Sequence, residues 1–280
     1  MANTIEYGQG AVNNTIGWGQ GAKVGTSESL LLDSYSGASV AYSLRKLSSS
    51  YSGSAIRVRR SSDNTEQDIG FTGNELDTTS LTSFVGANNG FLTRWYDQSG
   101  NANNSAQSTA SRQPQIVSSG TILTNNSKPS IFLQNQDSLT FTSLTPITTF
   151  SVAKIDTLNY AIHYVLFNTL SPRGYFYGGT FSGVDGLGIF DGSAKSITGE
   201  DTNTHLGYFN YNGTNYEVAK DGNALSNLAS GSNFDLNSIG RPQTALTLNG
   251  QLQEIVIYPS TQSSDKSNIE SNINTYYSIY

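Results

Sequence analysis

The residues of this chain best suited to gripping a hydroxyl-rich ligand stand in one run, Arg94-Trp95-Tyr96-Asp97-Gln98-Ser99-Gly100-Asn101. A carboxylate at Asp97 and amides at Gln98 and Asn101 offer the paired acceptors and donors that suit vicinal diols. Trp95 or Tyr96 adds an aromatic face on which a sugar ring can stack. Trp95, Tyr96, Asp97, Gln98 and Asn101 are therefore the candidate carbohydrate-binding residues. The same run of Asp, Ser, Gly and Asn also suits a turn whose polar side chains tie down its own backbone, the plainer of the two readings.

Other chemistries find less support. His163 and His205 each lie beside apolar or aromatic neighbours without a second ligand at metal spacing, and read as satisfied strand histidines. Asp185 and Asp191, in Gly183-Val184-Asp185-Gly186-Leu187-Gly188-Ile189-Phe190-Asp191-Gly192, and the following Glu200-Asp201 lack the dense spacing of a calcium loop and read as turn residues. The chain has no cysteine, which removes disulfides and thiolate zinc sites. Neither a serine nucleophile elbow nor a Gly-Lys-Ser/Thr phosphate loop occurs, so no metal and no cofactor is expected.

The elements that must position the run are strands. Of 280 residues 13% are charged and 36% hydrophobic, with Ser, Thr, Asn and Gly in every segment, the texture of an outward-facing β protein. The net charge of -6 argues against a nucleic-acid partner. The single basic run, Arg57-Val58-Arg59-Arg60, alternates as a strand would and reads as exposed or ion-paired charge. No apolar stretch approaches membrane-spanning length, and Met1-Ala2-Asn3-Thr4 does not open a secretory signal, so neither membrane insertion nor export by that route is expected.

From residue 29 short β-like runs alternate with turn clusters, predicting strands at 55–59, 91–96, 130–133, 150–154, 164–167 and 253–258. Asn212-Gly213 and Asp221-Gly222 predict tight turns, because both dipeptides tolerate positive φ. Helices are expected over 39–47 and from Ser264 to about Tyr277, the second capped by Ser264 with Ile269, Ile273 and Tyr276 on one face.

Three ordered blocks, Ala41-Tyr42-Ser43-Leu44-Arg45, Ile56-Arg57-Val58-Arg59-Arg60-Ser61-Ser62-Asp63 and Arg94 to Asn101, resemble the catalytic domain of the α-L-arabinofuranosidase B family. That family carries Tyr-Ser-Leu-Arg-like, Val-Arg-Arg-Ala-Ser-Asp and Tyr-Asp-Gln-Ser-Gly-Asn-Gly-Asn segments. The resemblance spans residues of about 40 to 260. It implies an all-β fold, a concanavalin A-like or laminin-G-like jelly-roll β-sandwich, here with a short N-terminal extension and a C-terminal helix. It also implies a retaining glycosidase with two carboxylates about 5 Å apart.

The family's nucleophile segment, Phe-Asp-Tyr-Gly-Asn-Ala-Glu, has as its nearest echo Tyr175-Phe176-Tyr177-Gly178-Gly179, which lacks the acid. The acid/base segment, Gly-Ile-Gly-Gly-Asp-Asn, falls on Ser238-Ile239-Gly240-Arg241-Pro242-Gln243, where the acid is gone and an Arg cannot donate a proton at neutral pH. The expectation is therefore a scaffold without catalysis, not an enzyme.

Residues 1–28 stand apart. Asn3-Thr4-Ile5-Glu6-Tyr7-Gly8-Gln9-Gly10-Ala11 recurs as Asn14-Thr15-Ile16-Gly17-Trp18-Gly19-Gln20-Gly21-Ala22, one adhesive aromatic per unit on a backbone too short to bury a core. The repeat resembles Ile-Gly-Trp-Gly-Gln-Gly repeats of structural proteins of phages of Bacteroidetes. That likeness implies a docking segment, with Ile5, Tyr7, Ile16 and Trp18 as docking residues, followed by a sandwich over 29–280. The function expected is a virion-surface structural protein, a head fibre, spike or tail fibre. It would be held to a capsid or tail protein through residues 1–28, assembled as a homo-oligomer, with a trimer the natural guess, and display an inactive lectin-like domain to host surface glycans. The alternatives are an active arabinofuranosidase-like glycoside hydrolase acting on host polysaccharide and a ligand-free capsid decoration protein.

Overall fold

A computed structural model describes residues 29–156, 163–171, 173–177, 186–199, 201–240 and 249–280. The docking residues Ile5, Tyr7, Ile16 and Trp18 lie outside these. Strands dominate, and the all-β sandwich expected from the alternation is what the chain forms.

One sheet is built on strand Thr148–Ile155, which pairs antiparallel with Thr204–Tyr211 on one side and Gly250–Tyr258 on the other. Asn215–Lys220 continues it past 204–211, while Val40–Ser43 and Ile131–Leu133 share the outer edge of 250–258. In the second run of pairings Ile56–Arg60 meets Gly90–Trp95, and Leu139–Leu144 meets Leu236–Ile239, which in turn pairs with His163–Phe167 and, beyond it, Gly174–Tyr177.

Nearly every residue of 148–155 is buried, because both faces of its sheet are covered. Ala153, Ile155, Ile255 and Ile257 enter the main core with Val58, Trp95, Leu139 and Ile239. Phe150, Val152, Tyr208 and Tyr258 point the other way, into a second cluster beneath the C-terminal helix Lys266–Tyr277. Ile269, Ile273 and Tyr277 close that cluster, each fully buried apolar side chain stabilising by roughly 1.5–3 kcal/mol. The third residue of the helix's buried face is thus Tyr277 rather than the expected Tyr276, which lies half-buried with Lys128 Nζ 3.9 Å from its ring centre. The N-cap is Asp265, one residue past Ser264, and makes no side-chain cap bond.

The helix expected over 39–47 is not formed. Val40, Ala41 and Tyr42 are fully buried in a strand whose residues register with Ile257, Val256 and Ile255. Burial on both faces overrides a pattern that also suits a helix. An unforeseen helix, Thr78–Val85, is capped by Asp77, whose Oδ1 accepts the Ser80 N–H at 2.9 Å. Both expected turns form. Gly213 has φ +96°, and Asp221 and Gly222 have φ +54° and +73°.

Candidate functional site

The run from Arg94 to Asn101 leaves the sheet at Trp95 and turns back toward the strand Val40–Ser43. Asp97 is the centre of that turn. Its Oδ1 accepts the N–H groups of Ala41 at 2.8 Å and Ser99 at 2.9 Å, and its Oδ2 accepts Ser99 Oγ at 2.8 Å and the Asn103 N–H at 3.1 Å. Gln98 accepts the Leu47 N–H on Oε1 and donates through Nε2 to the carbonyls of Ser43 and Arg45. Asn101 donates to the carbonyls of Ala38 and Ser39. Two sequence blocks that stand far apart are thus two halves of one clamp.

This geometry corrects the assignment of the run as sugar-gripping. Trp95 has no exposed surface and packs 5.9 Å, centre to centre, from Tyr42, so neither ring face is open to a ligand. Asp97 and Gln98 are buried, and both atoms of each polar group already have backbone partners. Tyr96 is half-buried and donates its hydroxyl to Asp68 at 2.7 Å. Asn101 alone remains at the surface, on the rim of a shallow concavity with Ser39, Asn103 and Thr142. On the other side of the clamp, a cavity of about 220 Å³ is lined by Ser48, Ser50, Tyr51, Ser99 and Gly100. Burial, with the charge of Asp97 behind it, pushes the Tyr51 hydroxyl up to about 12, and that hydroxyl donates to the Ser54 carbonyl.

The arginine of the first block is structural as well. Arg45 is buried and forks onto Glu254, Nε to Oε2 at 2.8 Å and Nη2 to Oε1 at 3.0 Å, while Ser43 Oγ and Tyr277 OH complete the carboxylate's shell. Burial acts to lower the guanidinium pKa, but the charge and hydrogen bonds of Glu254 reverse this and hold it above its ordinary value. In the second block Arg57 pairs with Asp68 and Arg60 with Asp63, as expected of strand charges.

Of the acids Asp185, Asp191, Glu200 and Asp201, Asp185 and Glu200 lie outside the described residues. Asp191 is paired with Lys195, an ammonium standing where a cation would bind. His205 sits between Asp221, 2.7 Å from Nδ1, and Asp201, 3.1 Å from Nε2, a partnered strand histidine as expected. Among the described residues no group of three or more His, Cys, Asp or Glu converges as a metal site.

One carboxyl that the sequence did not single out is perturbed in the direction acid catalysis requires. Asp137 lies in the turn between Ile131–Leu133 and Leu139–Leu144, half-buried, its Oδ2 accepting the Gln134 N–H at 3.0 Å. Burial raises its pKa to about 6 against the opposing pull of that single bond, and it forms no ion pair among the described residues. Its backbone stands against Gly240, the residue that follows the strand Leu236–Ile239. A Cβ at Gly240, which has φ +68°, would lie 2.6 Å from the Asp137 carbonyl oxygen. Gly240 is also the third residue of the run Ser238 to Gln243 on which the acid/base segment of the resembling family falls; 241–243 lie outside the described residues. Only tertiary pairing brings Asp137 there, since a lone Asp after Gln134-Asn135-Gln136 has no motif.

Comparison with known proteins agrees with the scaffold. Residues 34–140 match the family model described as Alpha-L-arabinofuranosidase B, catalytic. Among solved structures, the chain is similar to an arabinofuranosidase complexed with arabinofuranosyl-alpha-1,2-xylobiose, at 15% identity and TM-score 0.67, and to an α-L-arabinofuranosidase soaked with a cyclic sulfate inhibitor, at 14% identity and TM-score 0.65. Each likeness covers 87% of this chain and 64% of the other, so the chain spans less than two thirds of the length of these relatives in fold. No curated protein sequence matches it. The matched family model is that of a catalytic domain, and the expectation of a non-enzyme, drawn from two missing motifs, is overturned by it.

Proposed function

We propose that this chain is a glycoside hydrolase of arabinofuranosidase-like architecture that releases pentosyl groups from polysaccharide, with Asp137 as the proton donor to the leaving oxygen. The observation carrying this reading is the half-buried Asp137, its carboxyl raised to about 6 by burial and its backbone carbonyl against Gly240, within the run 238–243 on which the family's acid/base segment falls. Glycoside hydrolysis needs one carboxylic acid that keeps its proton and one carboxylate that has lost it, and environments that push two pKa values apart provide such a pair. The match over residues 34–140 and the likeness in fold to arabinofuranosidases support the substrate class.

The test is turnover of 4-nitrophenyl α-L-arabinofuranoside and release of arabinose from polysaccharide by the full chain. Asp137→Asn is expected to lower kcat by about 10²-fold or more, and wild-type kcat/KM to fall as pH rises through about 6. A scan of Asp156, Asp185, Glu200 and Asp201 identifies the ionised partner. Absence of pentose release from every substrate defeats the reading, and full activity in Asp137→Asn defeats the assignment of the acid.

The tandem repeat of residues 3–22 favours carriage of this domain on a virion surface. In that setting Ile5, Tyr7, Ile16 and Trp18 engage a capsid or tail protein, copies of the chain assemble symmetrically as a trimer, and the polymer trimmed is a host surface glycan. Mass-spectrometric detection of the chain in purified particles, lost on deleting residues 1–28, is the expected result.

A further inference from the structure

The strand Thr148–Ile155 has two ends with different neighbours. At Ile155 it meets Gly250, whose other strand partner Leu133 lies against Gly240, itself against the backbone of Asp137; at Thr148 it meets Asn210 and Tyr258. Eight residues of strand separate the two by roughly 23 Å. At the Thr148 end lies a cavity of about 530 Å³ lined by Ile147, Tyr211, Asn212, Glu217, Leu225 and Thr261 among others. That is within the range of about 300–1,000 Å³ in which small-molecule sites fall.

Its polar and aromatic groups are held in place before any ligand arrives. Glu217 accepts Asn210 Nδ2 on Oε2 at 2.7 Å and Asn212 Nδ2 on Oε1 at 2.8 Å. Asn210 is anchored in turn by Thr148 Oγ1, and Asn212 by the N–H groups of Thr214 and Asn215. A carboxylate has room for about four hydrogen bonds, and these two amides use half of that capacity. Among the described residues no cation pairs with Glu217. The Tyr211 ring is fixed by its hydroxyl, whose one proton is shared between the carbonyls of Gly213 and Gly231, and by the Tyr216 ring 5.4 Å away. Beside it Leu225 is 41% exposed, one of few large apolar side chains left open to water among the described residues.

A rigid aromatic and an open Leu next to a carboxylate with spare acceptor capacity match one ligand chemistry, a saccharide ring with one C–H face and several hydroxyl donors. The unpaired charge of Glu217, on a chain of net charge -6, disfavours sialylated, uronic or phosphorylated sugars. We infer that this cavity is a second carbohydrate-binding site, for a neutral oligosaccharide, at the end of the sandwich remote from Asp137. The inference does not depend on catalysis at Asp137.

The test is isothermal titration and NMR titration of the full chain with arabinofuranosyl-xylobiose, xylobiose, maltose and, as the acidic control, sialyllactose. At least one neutral sugar is expected to bind and to shift the signals of Tyr211, Asn212 and Glu217, while sialyllactose does not. Tyr211→Ala and Glu217→Gln should each weaken binding by about tenfold or more. Because losing the Tyr211 ring can also loosen the hairpin, Thr261→Trp, which fills the mouth of the cavity from an exposed position, should give the same loss in a chain with wild-type circular dichroism. Turnover of the chromogenic monosaccharide stays unchanged in all three, which separates this site from the one at Asp137. Failure of every neutral sugar to bind at millimolar concentration, equal binding of sialyllactose, or undiminished binding in Glu217→Gln and Thr261→Trp overturns the inference.

Discussion

Replacing Asp137 by Asn should make the protein more stable at neutral pH. In the unfolded chain the carboxyl titrates near 3.8, whereas in the fold burial holds its proton until about 6. Well below pH 3.8 both states carry the proton and the group contributes no difference, and at pH 4 the difference is still small. As pH rises from 4 to 6 the unfolded chain ionises first, so the folded state binds more protons and stability falls with pH. Above about 6 the full cost has been reached. At 1.36 kcal/mol for each pKa unit, the interval amounts to about 3 kcal/mol.

Asn has the same shape and can still accept the Gln134 N–H through Oδ1, but carries no charge to desolvate. Guanidinium unfolding of wild type and Asp137→Asn at pH 4, 5, 6, 7 and 8 should therefore show nearly equal stability at pH 4 and a gap widening to about 3 kcal/mol in favour of the variant at pH 8. A gap that is constant with pH, or a wild type more stable than the variant at pH 8, refutes the argument. The same variant is expected to lose turnover. Gaining stability while losing activity is the pattern of a group kept for chemistry at a cost to the fold.

Two other perturbations address the clamp and the buried ion pair. Arg45→Ala leaves Glu254 buried without its counter-charge and should cost about 3–5 kcal/mol, seen as a lower denaturation midpoint with an unchanged slope. Asp97→Ala orphans the N–H groups of Ala41, Ser99 and Asn103, at about 1–3 kcal/mol for each that water does not reach. It should lower the thermal midpoint, whereas any residual glycan affinity at the remote cavity lined by Tyr211 and Glu217 should persist at temperatures where the variant is folded.

Much of the fold could be read without coordinates, because strands with one or both faces buried leave a local signal. The runs at 150–154 and 253–258, with Val, Ile, Phe and Ala among their residues, lie within observed strands, and that at 55–59 matches the strand Ile56–Arg60 to within one residue. The turns at Asn212-Gly213 and Asp221-Gly222 followed from φ preference alone. Residues 39–47 misled, since Val40, Ala41, Tyr42 and Leu44 suit a helix as well as a doubly buried strand. Pairing with Ile257, Val256 and Ile255, more than 200 residues onward, decides between them.

The chemical residues divide in the same way. The order of the three blocks identified a glycosidase-like scaffold, because Asp97, Gln98 and Asn101 must clamp the backbone of residues 38–47 and Arg45 must find Glu254, and such requirements restrict residue types at particular positions. Those types looked like a sugar grip because the groups that bind hydroxyls also bind backbone amides. Composition and alternation determined the strands and turns, and the three blocks carried the likeness to an arabinofuranosidase domain. Burial and long-range pairing, which no local pattern encodes, decided that Trp95 and Asp97 face inward, that the Asp137 carboxyl is raised by burial in a turn whose backbone meets Gly240, and that Tyr211 and Glu217 share one cavity.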